Sequence, residues 1–498
     1  MAIPRYRRFT AAKTSPTNGI SKKSSRRKLP LLVFFFVGFL ATHFTRKLLK
    51  NVEPEGIVQA GRQLAVKLIT SSSSSAELQT PSLPTAKVVF VVSLTSCLPK
   101  FKRTLFDAAS VLRRSIELNT YPLHPNASYQ ADLVALLPTH LQQPNGCGSI
   151  LEQAGFDVRI VPLPVSPDEI RGGEGFILKD AIHRNGCCGH SELLKLHAFS
   201  MVNHSVAVHL DIDTLLLAPL DELLDAIYYD PATSEQGIRA RRHLVEAGLV
   251  APTYPHTAQI QNVTTRIDAF YTKDYNIIRP GQESRVGVQG GFFVVRPNIT
   301  RRDELIDMVK QGHFVGGRSV TESGWFSSGY GMHIWGAMTI QGLFAYYFDM
   351  ILKNQAIELH RCRFNQIADN PRRSSHDRTG KYARPTPANA SAEWYDTTCR
   401  DGRNNCDDVQ CQTWPLEDTR IVHYTYCKVP WGCMGISDPP MFWNDGVCRG
   451  MISRWFDIRT KLKGQEEADG TYQPEIYNGF CRDHRSYIPM IPHPNTTI

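Results

Sequence analysis

The sequence predicts an α/β fold with a parallel, doubly wound sheet, and three observations carry that prediction. Residues 86–95 and 206–210 are short, β-branched, apolar runs of the kind that fill strands buried on both faces. Strand and helix patterns alternate from residue 86 to residue 162, the order that builds parallel βαβ units. The run 206–210 ends abruptly in Asp211 and Asp213 with helical patterns on both sides, which puts two carboxylates where open α/β sheets bind ligands.

The elements follow in order. Residues 86–95 are the first strand, and 105–118 follow with helical periodicity. Residues 131–138 are a second strand, 150–154 a short helix and 156–162 a third strand. The segment 171–176 is rich in glycine but reads as a loop; the chain has no GxxxxGK[ST] phosphate loop and no GxGxxG fingerprint. Residues 191–199 carry apolar positions at helical spacing and include Lys195, which reads either as a surface lysine or as a cation beside a ligand. In an extended chain alternate side chains share a face, so Asp211 and Asp213 project together while Ile212 turns inward. Two adjacent carboxylates repel unless a cation sits between them, and a hard divalent ion with sites left for phosphate oxygens satisfies both. Residues 219–227 read as a capped helix.

Residues 230–280 are polar, irregular and punctuated by Pro231, Pro252 and Pro255, an excursion suited to forming part of an acceptor pocket. The stretch 289–295 pairs glycines with a following strand, either a bulge at a strand start or a close approach of backbone to a ligand. His423 follows a short strand-like run, and a neutral imidazole there is a candidate third metal ligand.

These segments resemble the glycogenin-like family 8 glycosyltransferases. The resemblance rests on Lys195-Leu-x-x-Phe199, on Val208 to Leu217 with its Asp-x-Asp, on Val288-Gln-Gly-Gly-Phe-Phe-Val-Val-Arg-Pro-Asn298, and on His423 through Pro430-Trp431. It implies a GT-A-like nucleotide-diphospho-sugar transferase fold with a mixed, mostly parallel sheet, a UDP-sugar donor, Mn²⁺ and retention of configuration. It further implies that Asp211, Asp213 and His423 hold the metal, that Lys195, Asp211, Gly290, Gly291 and Lys428 bind the donor, and that Gln289 and Gln341 work at the sugar. The acidic residue that relatives carry before the glutamine is replaced by Ile340, so that role is vacant or moved. The same departure suits a second expectation, a binding protein of this fold without turnover. A paired-carboxylate glycosidase fits poorly, because its two acids flank the sugar about 5–9.5 Å apart.

The chain's ends set further expectations. Residues 1–50 hold twelve Lys or Arg and no Asp or Glu, so the net charge of +9 leaves 9 − 12, about −3, for the remainder. Basicity confined to a tail argues against nucleic acid as a partner. Residues 1–28 read as a cytosolic basic tail, 29–45 as a transmembrane signal-anchor with a cleaved signal peptide as the alternative, and 46–85 as a flexible stem. Residues 86–436 are then the catalytic domain and 437–498 a Cys- and Pro-rich extension with a helix at 450–462. The expected setting is a single-pass type II protein of the Golgi membrane, its short span matching thin early-secretory bilayers. Glycan acceptors at Asn126, Asn203, Asn262, Asn298, Asn389 and Asn495, and twelve cysteines read as disulfides rather than zinc ligands, agree with a lumenal location.

Overall fold

Strand β1 (Lys87–Ser93) divides its side chains between two cores: Val88, Phe90 and Val92 face one, Val89 and Val91 the other. A strand with apolar residues on both faces needs cover on both sides, and the chain supplies it by alternating helices with strands. In this computed structural model the described residues are 86–143, 146–229, 234–252, 266–278, 285–317, 320–374, 395–402, 410–433, 446–462, 481 and 487–489. All belong to the unit Ser82–Ile498. The expected tail, membrane span and stem lie outside the described residues, as do Asn262, Asn389 and Asn495. Among the described residues no helix is long and apolar enough to cross a membrane.

After β1 come α1 (Pro99–Leu118), β2 (Gln130–Pro138), α2 (Cys147–Gln153), β3 (Asp157–Val161), β4 (Ala207–Leu210), β5 (Thr214–Leu216), α3 (Asp221–Tyr228), α4 (Glu235–Glu246), β6 (Ala269–Lys273) and β7 (Val288–Val295). The chain continues through α5 (Ile299–Gln311), β8 (Phe314–Val315), β9 (Gly324–Trp325), α6 (Ile340–Tyr346), β10 (Ala356–Glu358), β11 (Arg372–Ser374), β12 (Tyr395–Cys399), β13 (Ile421–His423) and α7 (Gly446–Lys461). The main sheet has seven strands in the order β10-β6-β7-β4-β1-β2-β3. Every neighbouring pair is parallel except the two that involve β7, so the sheet is mixed and mostly parallel. Three two-stranded ribbons, β5/β13, β8/β9 and β11/β12, stand apart from it.

Four expectations are corrected. The segment around Lys195 is a twelve-residue 3₁₀ helix, Gly189–Ser200, rather than an α-helix. In 3₁₀ geometry residues i and i+3 eclipse, which aligns Glu192 with Lys195 for a buried ion pair of 2.9 Å. The supposedly irregular stretch 230–280 contains α4, capped by the Ser234 hydroxyl accepting from Gln236 and Gly237 amides, and β6; residues 253–265 are outside the description. Its polar composition conceals an amphipathic helix that buries Leu244 and Arg241. Helix α3 has no side-chain cap: Leu220 is the N-cap, and Asp221 accepts instead from the Ser128 amide at 2.6 Å. Lastly, the cysteines do not all pair, because Cys187 and Cys188 are free.

Disulfides Cys97–Cys147, Cys362–Cys411, Cys427–Cys448 and Cys433–Cys481 bridge described residues. Cys427–Cys448 staples α7, which starts earlier than the sequence predicts, into a third core with Val111 of α1 and Val422 of β13, and Cys433–Cys481 lies in the same core. Arg459 of α7 and Asp107 of α1, both fully buried, meet at 2.8 Å. Asn126 and Asn203 are exposed, and Asn298 caps α5 by accepting from the Thr300 and Arg301 amides.

Candidate active site

The carboxylate pair is built by a turn, not by strand alternation. β4 ends at Leu210, and the Asp211 amide still donates to Gly291 O of β7 at 2.8 Å. The chain then reverses: the Thr214 amide donates to Asp211 O at 3.1 Å, and the Thr214 hydroxyl donates to the same oxygen at 2.8 Å. The extended geometry expected for 211–213 is therefore replaced by a β-turn, which brings the two carboxylates together at the strand's carboxyl end.

The same turn recruits the histidine. β5, which begins at Thr214, pairs antiparallel with β13 in a register that sets Thr214 opposite His423, and the Tyr424 amide donates to Asp213 O at 2.9 Å. His423 Nε2 lies 3.3 Å from Asp213 Oδ1. One ligand atom from each of Asp211, Asp213 and His423 falls within 4.8 Å of the others.

Neighbours orient the ring. His423 Nδ1 is 3.1 Å from Asn365 Oδ1, and the Asn365 amide nitrogen donates to the Thr272 hydroxyl at 3.1 Å. An amide oxygen only accepts, so Nδ1 carries a proton, and loss of the other ring proton to an incoming ion would leave the Nε2 lone pair facing the carboxylates. Gly291 makes room: a Cβ there would fall 2.6 Å from Nδ1 and 3.0 Å from Nε2 of His423, and closer still to Cε1. Two carboxylates and one oriented imidazole nitrogen fit a divalent ion that accepts both oxygen and nitrogen, as manganese does.

Charges here oppose burial. Burial pushes the Asp211 carboxyl up, Lys195 pulls it down, and Glu192 adds to the rise, leaving it above the ordinary range. For Asp213 burial also acts upward, but His423 outweighs it and holds the carboxyl low. Burial disfavours a charged His423, yet Asp213 and Asp211 carry it above the usual imidazole value.

Lys195 departs from its expected role. Its ammonium lies 2.8 Å from Asp211 Oδ1, 2.9 Å from Glu192 Oε2 and 3.0 Å from Gly290 O. Three partners use its three protons, so it anchors Asp211 from behind and has no proton left for a donor phosphate. Gly291 is likewise reassigned, since the space its missing side chain leaves holds the His423 ring and not a sugar. Gly290 stays open to ordinary contacts: a Cβ there would meet Ile340 Cγ2 and Lys195 Nζ at 3.6 Å and Gln341 Cδ at 3.7 Å.

Gln289 accepts from the Gly291 amide and so closes a bulge at the start of β7, where the register with β6 jumps between Tyr271 and Lys273. Gln341, near the start of α6, lies beside Gly290, and its Oε1 accepts from the Thr339 hydroxyl at 3.1 Å. Ile340 is fully buried in the sheet's larger core. Lys428 is exposed beyond β13 at φ 64°. Two residues of the site carry no motif of their own. Glu192 was legible only as a charge three places before Lys195, and nothing local marks Asn365.

No protein-family model matches the sequence, and a search of curated proteins finds no match. Among solved structures the chain is similar to the WbbM bifunctional glycosyltransferase, with TM-score 0.36 and 9% identity over 77% of this chain and 52% of that one. It is similar to the galactosyltransferase LgtC bound to donor and acceptor sugar analogues, with TM-score 0.33 and 12% identity over 74% and 95% of the two chains. It is also similar to mouse xyloside xylosyltransferase 1, with TM-score 0.32 and 10% identity over 56% and 87%. The chain thus spans about half the length of the first of these. At such TM-scores the likenesses carry no argument about activity, which rests on the site itself.

Proposed function

We propose that the chain is a metal-dependent glycosyltransferase of GT-A-like fold that moves a hexosyl or pentosyl group from a UDP-sugar to a glycan or protein acceptor, with retention of configuration. The observation that carries this reading is the convergence of Asp211, Asp213 and His423 at the carboxyl end of a parallel strand. These three would hold Mn²⁺, which supplies neutralisation of the charge on a departing diphosphate. Lys195 and Asn365 keep Asp211 and His423 aimed at that point. Gln341 is assigned to the donor sugar's hydroxyls, a role its position next to the open Gly290 backbone supports, with Gln289 shaping the bulge beside it. Lys428 is assigned to the diphosphate. The resemblance of the motifs supports the donor class and the stereochemistry. The basic tail and apolar run support a type II anchor in the Golgi membrane.

A second reading, a sugar-nucleotide- or glycan-binding protein without turnover, is favoured by one feature: Ile340 puts a buried alkyl group where relatives carry an acid. Incubation of the full chain with radiolabelled UDP-sugars and Mn²⁺, beside the Asp211→Asn/Asp213→Asn variant, separates the two. Metal-dependent UDP release that disappears in the variant supports the enzyme. Binding without release supports the second reading, and neither binding nor release refutes both. Stabilisation by UDP-glucose, UDP-galactose, UDP-xylose or UDP-glucuronate, read as a rise in Tm, ranks the donors.

A further inference from the structure

Of the eleven described cysteines, nine are held in disulfides, and the two that are not, Cys187 and Cys188, are adjacent. Cys187 is exposed and Cys188 half-buried. Their sulfurs lie 2.7 Å apart, inside ordinary non-bonded separation, and Cys187 Sγ is 2.9 Å from Glu192 Oε1. Two glycines in left-handed conformation, Gly186 at φ 68° and Gly189 at φ 59°, bracket the pair; a Cβ at Gly189 would fall 2.5 Å from His183 O. That backbone fixes a tight bend with both thiols on one side of it.

We propose that Cys187 and Cys188 form a reversible vicinal disulfide whose closure is transmitted through Glu192 and Lys195 to Asp211. The contacts are continuous: Cys187 donates to Glu192 Oε1, Glu192 Oε2 pairs with Lys195 at 2.9 Å, and Lys195 pairs with Asp211 at 2.8 Å. Adjacent Cα atoms are about 3.8 Å apart, below the usual 4.4–6.8 Å of a disulfide, so this ring is strained and opens more readily than the chain's other bridges. Cys188 is the attacking group: the proton held by Glu192 is that of Cys187, and contact with Cys187 keeps the Cys188 thiol below the ordinary value despite burial.

The reaction is exchange with a small-molecule or protein disulfide, RSSR. The Cys188 thiolate attacks one sulfur of RSSR, giving a mixed disulfide and RS⁻. The Cys187 thiolate then attacks the Cys188 sulfur and expels the second RS⁻. Each released thiolate takes up one of the two protons lost, so two thiols are oxidised and one RSSR is reduced to two RSH. Closure removes the Cys187 S–H from Glu192, leaving its charge to Lys195 alone. The ammonium is drawn toward Glu192 while keeping its contact with Asp211, so it still aims that carboxylate but opposes a cation there less strongly. This last step rests on the metal reading given above.

The full chain, equilibrated over graded ratios of oxidised to reduced glutathione, is alkylated and digested, and the peptide 185–195 is weighed. It should lose two hydrogens and take no label at oxidising ratios, and take two labels at mildly reducing ones, while the peptides of Cys97–Cys147 and Cys362–Cys411 stay bridged throughout. Cys187→Ser and Cys188→Ser should each leave one alkylated or glutathionylated thiol. Two labels at every ratio, or opening only together with the other bridges, overturns the proposal. Mn²⁺ titrated into both forms should bind about tenfold tighter to the oxidised one. Equal affinity overturns the link to Asp211. Absence of binding in both forms overturns the metal reading instead and leaves the labelling result intact.

Discussion

Gly291→Ala should weaken the metal site without replacing any of its ligands. The added Cβ would sit 2.6 Å from His423 Nδ1 and 3.0 Å from Nε2, whereas non-bonded contacts of this kind settle near about 3.5–4.0 Å. The ring must therefore retreat by about 1 Å, several times the roughly 0.2 Å latitude of a metal–ligand bond. Asn365 blocks simple pivoting, because it grips Nδ1 and is itself tied to Thr272. Overpacking should cost about 1–3 kcal/mol of stability. Displacement of the imidazole should weaken Mn²⁺ about 10- to 100-fold, as loss of a site's supporting geometry commonly does. The assay is titration of the full chain with Mn²⁺, free ion counted by electron paramagnetic resonance. Gly290→Ala is the control, since its Cβ meets neighbours only at 3.6 Å and beyond and should keep wild-type affinity. Adding Gly291→Ala to His423→Ala should cost little further, because the ring it collides with is gone. Wild-type affinity in Gly291→Ala, or equal loss in Gly290→Ala, would refute the reasoning.

Asn365→Ala releases Nδ1 and should lower Mn²⁺ affinity about tenfold, with Asn365→Asp, which keeps an acceptor, recovering most of it; no change in either variant would count against tautomer control. Asp274 supplies a pH test. Burial first, and then the nearby Asp369, raise its pKa from 3.8 to about 6. A raised folded value means that ionising the folded state is costly, so the penalty is absent below 3.8, grows between the two values and is complete above 6. Asp274→Asn stays neutral and keeps the oxygen that accepts from the Asn276 amide, so it should gain up to about 3 kcal/mol near pH 8 and nothing near pH 3.5. Urea unfolding at the two pH values measures it, and equal gains at both would exclude ionisation as the cause.

The strands of the first half were legible because a strand buried on both faces announces itself as an unbroken apolar run, as in β1 and β4. Asp211 and Asp213 were legible because carboxylates ending such a run are chemically out of place. The helix that carries Lys195 was legible as helical but not as 3₁₀, since five consecutive residues, Glu192 to Leu196, are buried together with Ala198 and Phe199 and leave no stripe from which a period could be read. Helix α4 was missed because its surface is polar and its apolar face narrow.

By itself the sequence determined the parallel part of an α/β sheet, the acidic pair at the end of one strand, and a histidine distant in the chain that matched it in type. Only the tertiary structure decided that the pair is formed by a turn, that β13 lies in register against β5, that Gly291 yields space to His423, and that Lys195 is committed to Asp211 and Glu192. The division has a physical cause. Periodicity and strand ends are fixed by neighbours a few residues away. The partner of a buried ammonium, or the ring that fills a missing side chain's place, is fixed by segments that meet only once the whole core has closed.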